Sequence, residues 1–352
     1  MPGPALHQFS DLVAATLNEL GPYDAVQQIA QDKQSYEVLS RWFVKDKTML
    51  ESGAQIQRNL MVGDSGAGQG PASHKLPTDE DEVNLTDILK QIVVPWVHAE
   101  TKWMVVRQHM LVNRSPSAIL NVIEANRNYA MLELHKEMER KAWGSAPAAG
   151  DKVNPWAVKY WVVQSASEGF NGGSPTGNNM IAGLDLSTLP MAGQFNNWTA
   201  TYGKLSPQDG MPKLRKAHRK IGFRSPITMK DYLTGSGDQM RVYCNESSIG
   251  DFEEVLYANA DLSLKDVASV DGLNMSFKKN PIIWIPTLDD DTNNPVYLLN
   301  HATFMPVGLD GDYLHEEQAP APKQHNIIQY FVDLTYNYMC IDRRRNAVLY
   351  QA

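Results

Sequence analysis

Between Ser115 and Trp143, the apolar residues Ile119, Val122, Ile123, Ala130, Leu134, Met138 and Ala142 recur at three- and four-residue steps. This spacing predicts a helix with one apolar stripe. Glu124, Arg127, Glu133, Lys136, Glu137, Glu139, Arg140 and Lys141 cover much of the rest. Ser115 suits the N-cap, Pro116 the first helical position, and Gly144 follows the end. At about 1.5 Å per residue the helix would be roughly 42 Å long. Near the C-terminus the period changes to two. Ile328, Tyr330, Val332, Leu334, Tyr336, Tyr338 and Cys340 alternate with a register dominated by Gln329, Asp333, Thr335 and Asn337, which predicts an amphipathic strand over Ile327–Ile341. About 14 residues at roughly 3.3 Å each give a strand near 45 Å, against a usual length of about 5–6 residues. A long helix lying along a long strand implies an elongated, thin domain. Such a domain buries less of its own surface than a sphere does and tends to complete its core against neighbours.

The remaining pattern is less regular. Residues 1–50 predict two short helical pieces, with Leu12, Val13, Ala15, Leu17 and Leu20 before Gly21–Pro22 and Val26, Ile29, Tyr36, Leu39 and Phe43 after it. Their moderate periodicity suits an arm lying on a partner. Residues 51–113 suggest a large hairpin. Its outgoing strand is Ala54–Val62, its tip is the glycine-rich Gly63–Ser73, and an acidic run, Asp79–Glu82, precedes a helical or extended piece, Leu85–Val94. The returning strand is Thr101–Val112, dense in β-formers. After the long helix, Asp151–Gln164 reads as an aromatic-rich strand and 165–210 as loop. A basic helix over Pro212–Gly222, a strand over Met240–Asn245, a helix over Ser248–Asn259, and short strands between 280 and 315 with turns at Asp289–Asn294 and Asp310–Gly311 suggest a second, α+β domain over 211–325.

With 352 residues there is room for two or three domains, and 43% hydrophobic and 20% charged content fits a folded chain. A net charge of −8 argues against a surface devoted to gripping nucleic acid. Cys244 and Cys340 are the only cysteines, too few for a metal cluster or disulfide framework, and they fit a reducing compartment. No apolar run approaches the ~18 residues of a membrane span, and a signal peptide is not expected. Together these suggest a protein made and kept in cytoplasm.

Signatures of chemistry come close and fail. Gly63–Gln69 has the spacing of a phosphate-binding loop, but Gln69 stands where the lysine is needed. Gly66, Gly68 and Pro71 miss the dinucleotide pattern. Gly172–Thr176 resembles a nucleophile elbow without its last glycine, and proline after Ser174 removes a backbone donor. Asp289, Asp291 and Asn293 match the first ligand spacings of a calcium loop, but Asn294 and Asn300 stand where glycine and glutamate are required. The histidines lack zinc spacing, and His135 reads as a surface or contact residue on the long helix. Lys213–Lys220 and Arg343–Arg345 read as solvated faces, or as faces that pair with acidic runs of neighbours, in preference to DNA contacts. Trp96, Trp103, Trp143, Trp156 and Trp161 read as core or interface anchors. No catalytic, cofactor-binding or metal-ligating residue is expected.

The order of parts resembles the major capsid protein of tailed double-stranded DNA bacteriophages, the Hong Kong 97-like fold. The strings that carry the resemblance are VPWVHAETKWMVVRQ (Val94–Gln108), FNGGSPTG (Phe170–Gly177), PIIWIPTLDDDTNNPVYLLN (Pro281–Asn300), GDYL (Gly311–Leu314) and QHNIIQYFVDLTYNYMCIDRRRNAVL (Gln324–Leu349). The resemblance implies an α+β fold with an N-arm (1–50) and an extended loop with its return strand (51–113). It also implies a peripheral domain (114–210) with spine helix 115–143, an axial domain (211–325), and a return strand with tail (326–352). It further implies a non-enzymatic virion protein without cofactors, self-assembling as pentamers and hexamers into an icosahedral shell in the host cytoplasm. That shell would enclose double-stranded DNA without sequence-specific binding and without a membrane. Scaffolding, portal and decoration or cement proteins are implied partners. Two alternatives stand beside it: an encapsulin-type nanocompartment shell, and a soluble metal-assisted hydrolase using Asp289 and Asp291.

Overall fold

The computed structural model describes residues 35–62, 76, 89–106, 108, 116–148, 150–187, 193–223, 240–258, 267–270, 274–318 and 326–351. The chain enters through α1 (Val38–Asp46), a π-type helix, followed by β1 (Thr48–Leu50), β2 (Ile56–Met61), β3 (Leu89–Val94) and β4 (Val97–Val106). The long helix is α2 (Pro116–Trp143). Then come α3 (Val158–Trp161), β5 (Gly169–Gly172), β6 (Met180–Ile181), β7 (Leu184–Asp185), β8 (Asn197–Tyr202) and α4 (Gly210–Ile221). They are followed by β9 (Met240–Cys244), α5 (Glu246–Ala258), β10 (Val267–Val270), β11 (Asn274–Phe277) and β12 (Asn280–Trp284). The chain closes with β13 (Val296–Asn300), β14 (Phe304–Gln318), β15 (Ile327–Cys340) and β16 (Ala347–Gln351).

Two sheets carry the body. A four-stranded sheet has the order β1-β14-β15-β4, and an eight-stranded sheet has the order β10-β11-β12-β9-β13-β16-β8-β5. β15 is central in the first. It pairs antiparallel with β14 from Phe304↔Cys340 to Gln318↔Tyr330, and with β4 from Ile327↔Val106 to Tyr336↔Val97. Helix α2 lies along β4, and the Thr101 hydroxyl donates to the Ala130 carbonyl at 3.1 Å. Of the predicted stripe, Ala130, Leu134, Met138 and Ala142 are buried. The two long elements therefore fall where the periodicity put them, because each repeats one simple pattern over many residues.

Elsewhere the structure corrects the sequence reading. The outgoing strand of the hairpin pairs antiparallel with β3, from Ile56↔Val94 to Met61↔Leu89. The β-rich segment after Thr101 is β4, and it pairs with β15 instead. The tip Gly63–Ser73 and residues 1–34 lie outside the described residues. The segment before residue 50 is not only an arm, since α1 buries Val38, Leu39, Trp42 and Phe43 within this chain. Asp151–Gln164 is not a strand. The Trp161 and Val162 N–H groups donate to the Ala157 and Val158 carbonyls at 3.2 and 2.8 Å, so this backbone closes one helical turn and offers those donors to no ladder. The stretch read as loop holds β8, buried at every residue except Thr201. Asp310–Gly311 is a bulge inside β14, with Gly311 at φ 88° and a register shift between Gly308 and Tyr313.

Sheet membership also cuts across the expected division at 210 and 325. β5, β8 and β16 join the eight-stranded sheet from outside that range, while β14 leaves it for the four-stranded one. Each sheet is thus stitched from distant parts of the chain.

Candidate functional site

The chemistry-bearing side chains gather where α1, α2 and the two sheets meet. Trp42 is fully buried at the centre, with ring centroids of Trp143, Tyr243, His301, Phe304 and Tyr338 between 5.2 and 6.0 Å away. Its indole N–H donates to the Tyr243 hydroxyl at 2.8 Å, which lies 2.9 Å from His301 Nε2. Glu139 on α2 accepts from the Val38 backbone N–H at 2.9 Å and from the Trp143 indole at 2.7 Å. Asp46, at the end of α1, accepts two bonds from the Arg241 guanidinium at 2.8 and 3.3 Å. These contacts fix α1 to the long helix and to both sheets.

Burial pushes the Glu139 carboxyl up to about 7, against the opposing pull of its two donors. The docked fold therefore binds a proton that the unfolded chain releases near its ordinary value. This contribution to stability is fully present below about pH 4.5 and is lost as pH rises through about 7. At pH 8.5 the loss should be on the order of 3 kcal/mol. Thermal unfolding of Glu139→Gln between pH 5 and 8.5 checks this: its melting point should depend less on pH than that of the parent. Parallel curves would assign the pH dependence to other groups.

A second junction is built on Arg343. It is fully buried and pairs with no carboxylate among the described residues. Its guanidinium donates to the carbonyls of Trp161 (2.6 Å), Phe195 (3.0 Å), Gly172 (3.0 Å) and Gly173 (2.7 Å) and to Asn197 Oδ1 (3.1 Å). Burial lowers its pKa to about 10, still protonated at neutral pH. Asn197 also accepts from the Val163 N–H, and a Cβ at Gly172 would collide with its amide. The solvated reading of Arg343–Arg345 is therefore corrected for Arg343 and for Arg345, which is also buried. A third clip is Asn337, buried although it lies in the polar register of the long strand. Its oxygen accepts from the Trp156 N–H at 2.8 Å, and its amide donates to the Pro95 carbonyl at 2.7 Å.

The remaining sequence candidates do not converge on a reacting centre. Ser174 is held by the Met180 carbonyl at 2.8 Å and by Asn178, which makes it a turn residue. Asp289 accepts from the Glu246 N–H at the start of α5 and from the Trp284 indole. Asp291 pairs with Lys159 at 2.8 Å, in a cleft of about 580 Å³ that Arg140 and Tyr297 also line. The two carboxylates thus serve different partners. His135 is half-buried near the Tyr36 ring, and desolvation lowers its pKa. Among the described residues, one group of metal-capable side chains places three donors within 4.8 Å: His98, Glu100 and Asp333. Its imidazole already faces Thr335, Asp333 and Asp312 at 3.1, 3.5 and 3.6 Å, so mutual pairing accounts for it. Trp143, Trp161 and Trp103 are buried, and Trp96 and Trp156 pack partly buried against the main core. No helix among the described residues is long and apolar enough to cross a membrane.

The outer surface carries large apolar side chains that this chain leaves uncovered. They include Val44 on α1, Met61 and Leu89 on the hairpin, Met104 on β4, Tyr129 on α2, and Val153, Met180 and Trp284. Scattered apolar exposure is ordinary, but Met61 and Leu89 are directly paired across β2 and β3 and are 65% and 58% exposed.

No family model and no curated protein matches the chain. Solved structures do. A cyanophage A-1(L) capsid asymmetric unit aligns over 96% of this chain and 98% of its own, with TM-score 0.63 at 14% identity. A structure from Mycobacterium phage Bobi aligns over 96% and 97%, with TM-score 0.51 at 10% identity. The holo-SrpI encapsulin complex from Synechococcus elongatus PCC 7942 aligns over 97% and 94%, with TM-score 0.50 at 11% identity.

Proposed function

We propose, from the Hong Kong 97-like fold of this chain, that it is a major capsid protein. Its copies would assemble as pentamers and hexamers into an icosahedral shell around double-stranded DNA, within the virion and after assembly in the bacterial host cytoplasm. The observation that carries this reading is the end-to-end correspondence with the cyanophage capsid subunit, which leaves no large part of either chain unmatched. The rest of the molecule supports it. Among the described residues, the buried Glu139, Asn337 and Arg343 are each spent on joints between distant parts of the chain. An acidic shell wall with a net charge of −8 would not hold DNA tightly during filling. Residues 1–50 would then serve as N-arm, 51–113 as extended loop, 114–210 with 326–352 as peripheral domain and 211–325 as axial domain. Scaffolding, portal and cement proteins would be the partners from outside.

The encapsulin likeness keeps a second reading, a protein-filled nanocompartment of the same fold. Particle contents separate the two. Particles from the infected host should hold nuclease-protected double-stranded DNA, whereas an enzyme cargo without DNA would favour the nanocompartment. A monomer binding a divalent ion at Asp289 and Asp291 would favour neither. Removing the tip Gly63–Ser73 should leave each subunit folded while lowering shell yield or heat resistance, since an extended hairpin gains its burial on a neighbour. Particles of unchanged melting temperature would take that role from the tip.

A further inference from the structure

Helices α4 and α5 are opposites in charge. Along α4, Lys213, Arg215, Lys216, Arg219 and Lys220 occur with no carboxylate. Along α5, Glu246, Asp251, Glu253 and Glu254 occur with no cation. Both helices pack on the same face of the eight-stranded sheet. Met211, Leu214, Ala217 and Ile221 of α4 and Phe252 and Val255 of α5 share one core with Val242, Cys244, Val296, Leu298, Ala347 and Leu349. Their outward sides therefore form one bipolar surface. Lys216, Arg219 and Lys220 are exposed at helical spacing on α4. On α5, Glu246, Gly250 and Glu253 are exposed along one stripe, and a side chain at Gly250 would meet nothing within 4 Å. Part of this charge is used within the chain: Lys213 pairs with Asp209 at 2.5 Å, Lys216 with Glu168 at 2.7 Å, and Lys204 with Asp251 and Glu254 at 3.7 and 2.7 Å. Arg219, Lys220, Glu246 and Glu253 form no ion pair among the described residues and remain exposed.

We propose that this surface is where one copy of the chain meets the next, the basic stripe of α4 lying against the acidic stripe of α5 on its neighbour. The proposal rests on the capsid reading and assigns it a specific contact. Charge complementarity picks a second copy as the occupant. A nucleic-acid strand laid along α4 would meet the carboxylates of α5 beside it, whereas a second copy presents the matching sign to each. Opposed charge sets of this kind fix register and exclude wrong pairings more than they add raw affinity.

The test is a charge exchange, read as particle yield by sedimentation, with circular dichroism and melting temperature to confirm folded subunits. R219E/K220E and E246K/E253K should each lower the yield roughly tenfold or more, because like charges then oppose one another at every contact. The four-fold combination should recover most of the loss, since the exchanged signs again match. Near-normal yield from either pair of substitutions, or a combination no better than its parts, would overturn the pairing. So would intact shells of R219E/K220E that only hold less DNA, which would give α4 to the genome. If the unaltered chain forms no particles at all, the capsid reading itself falls, and this contact with it.

Discussion

Arg343→Ala is expected to leave little soluble, correctly folded subunit. The guanidinium satisfies four backbone carbonyls and Asn197 from segments that are distant from it in sequence. Truncation strands those acceptors in a dry site, and breaking a buried charged network of this kind costs about 3–5 kcal/mol. In a chain of this size such a loss lowers the melting point by roughly 5 °C. Arg343→Lys should recover only part of the loss, because an ammonium has three donors on a flexible stem and cannot match a fan of five acceptors. The ranking Arg, then Lys, then Ala in melting temperature checks the role. An Ala variant melting with the parent would show that the loops hold without the cation.

Trp42→Ala should destabilise the subunit to a similar extent for a different reason. It empties the centre of an aromatic cluster drawn from α1, α2 and both sheets, and large-to-small changes at such sites cost about 3–5 kcal/mol. It also removes the donor to the Tyr243 hydroxyl, which is fully buried and whose pKa burial raises. Trp42→Phe keeps most of the packing and loses the indole donor, so its cost should be nearer about 1 kcal/mol. Urea unfolding of the unassembled subunit gives both values. Equal midpoints for Trp42→Ala and the parent would place α1 outside the cooperative core, as a loosely laid arm.

These two residues also mark the limit of what could be read from the chain. Helix α2 and strand β15 were legible because each repeats its own period over a long run, and their observed ends lie within one residue of those expected. Trp42 was passed over because its neighbours Glu37, Ser40, Arg41, Lys45 and Lys47 make the segment look like a surface arm. Burial of its one apolar side is decided by partners 100 to 300 residues away. Arg343 was hidden in a run of three arginines that locally resembles a solvated patch. Only the convergence of loops at Trp161, Gly172 and Phe195 makes it a core residue. Asn337 follows the same logic: strict alternation placed it in the polar register, but β15 from Tyr336 onward is buried on both faces.

Functional legibility ran the other way. Each catalytic or ligand signature weakened on inspection of the sequence, and the described residues place Ser174, Asp289 and Asp291 in ordinary structural bonds. The family strings pointed instead to a fold whose parts gain burial from neighbours. That division of labour explains the energetic layout. On the proposed capsid reading, the joints around Trp42, Glu139 and Arg343 would make each copy a firm building block. The exposed hairpin pair Met61 and Leu89 and the charged outer sides of α4 and α5 would then be left for contacts between copies.

The most direct measurement is electron cryo-microscopy of the purified, full-length protein. Closed icosahedral particles are expected, with the hairpin of β2 and β3 lying on an adjacent subunit and α4 facing α5 across a subunit boundary. A solitary, compact subunit at high concentration, with Met61 and Leu89 covered by its own chain, would contradict the account.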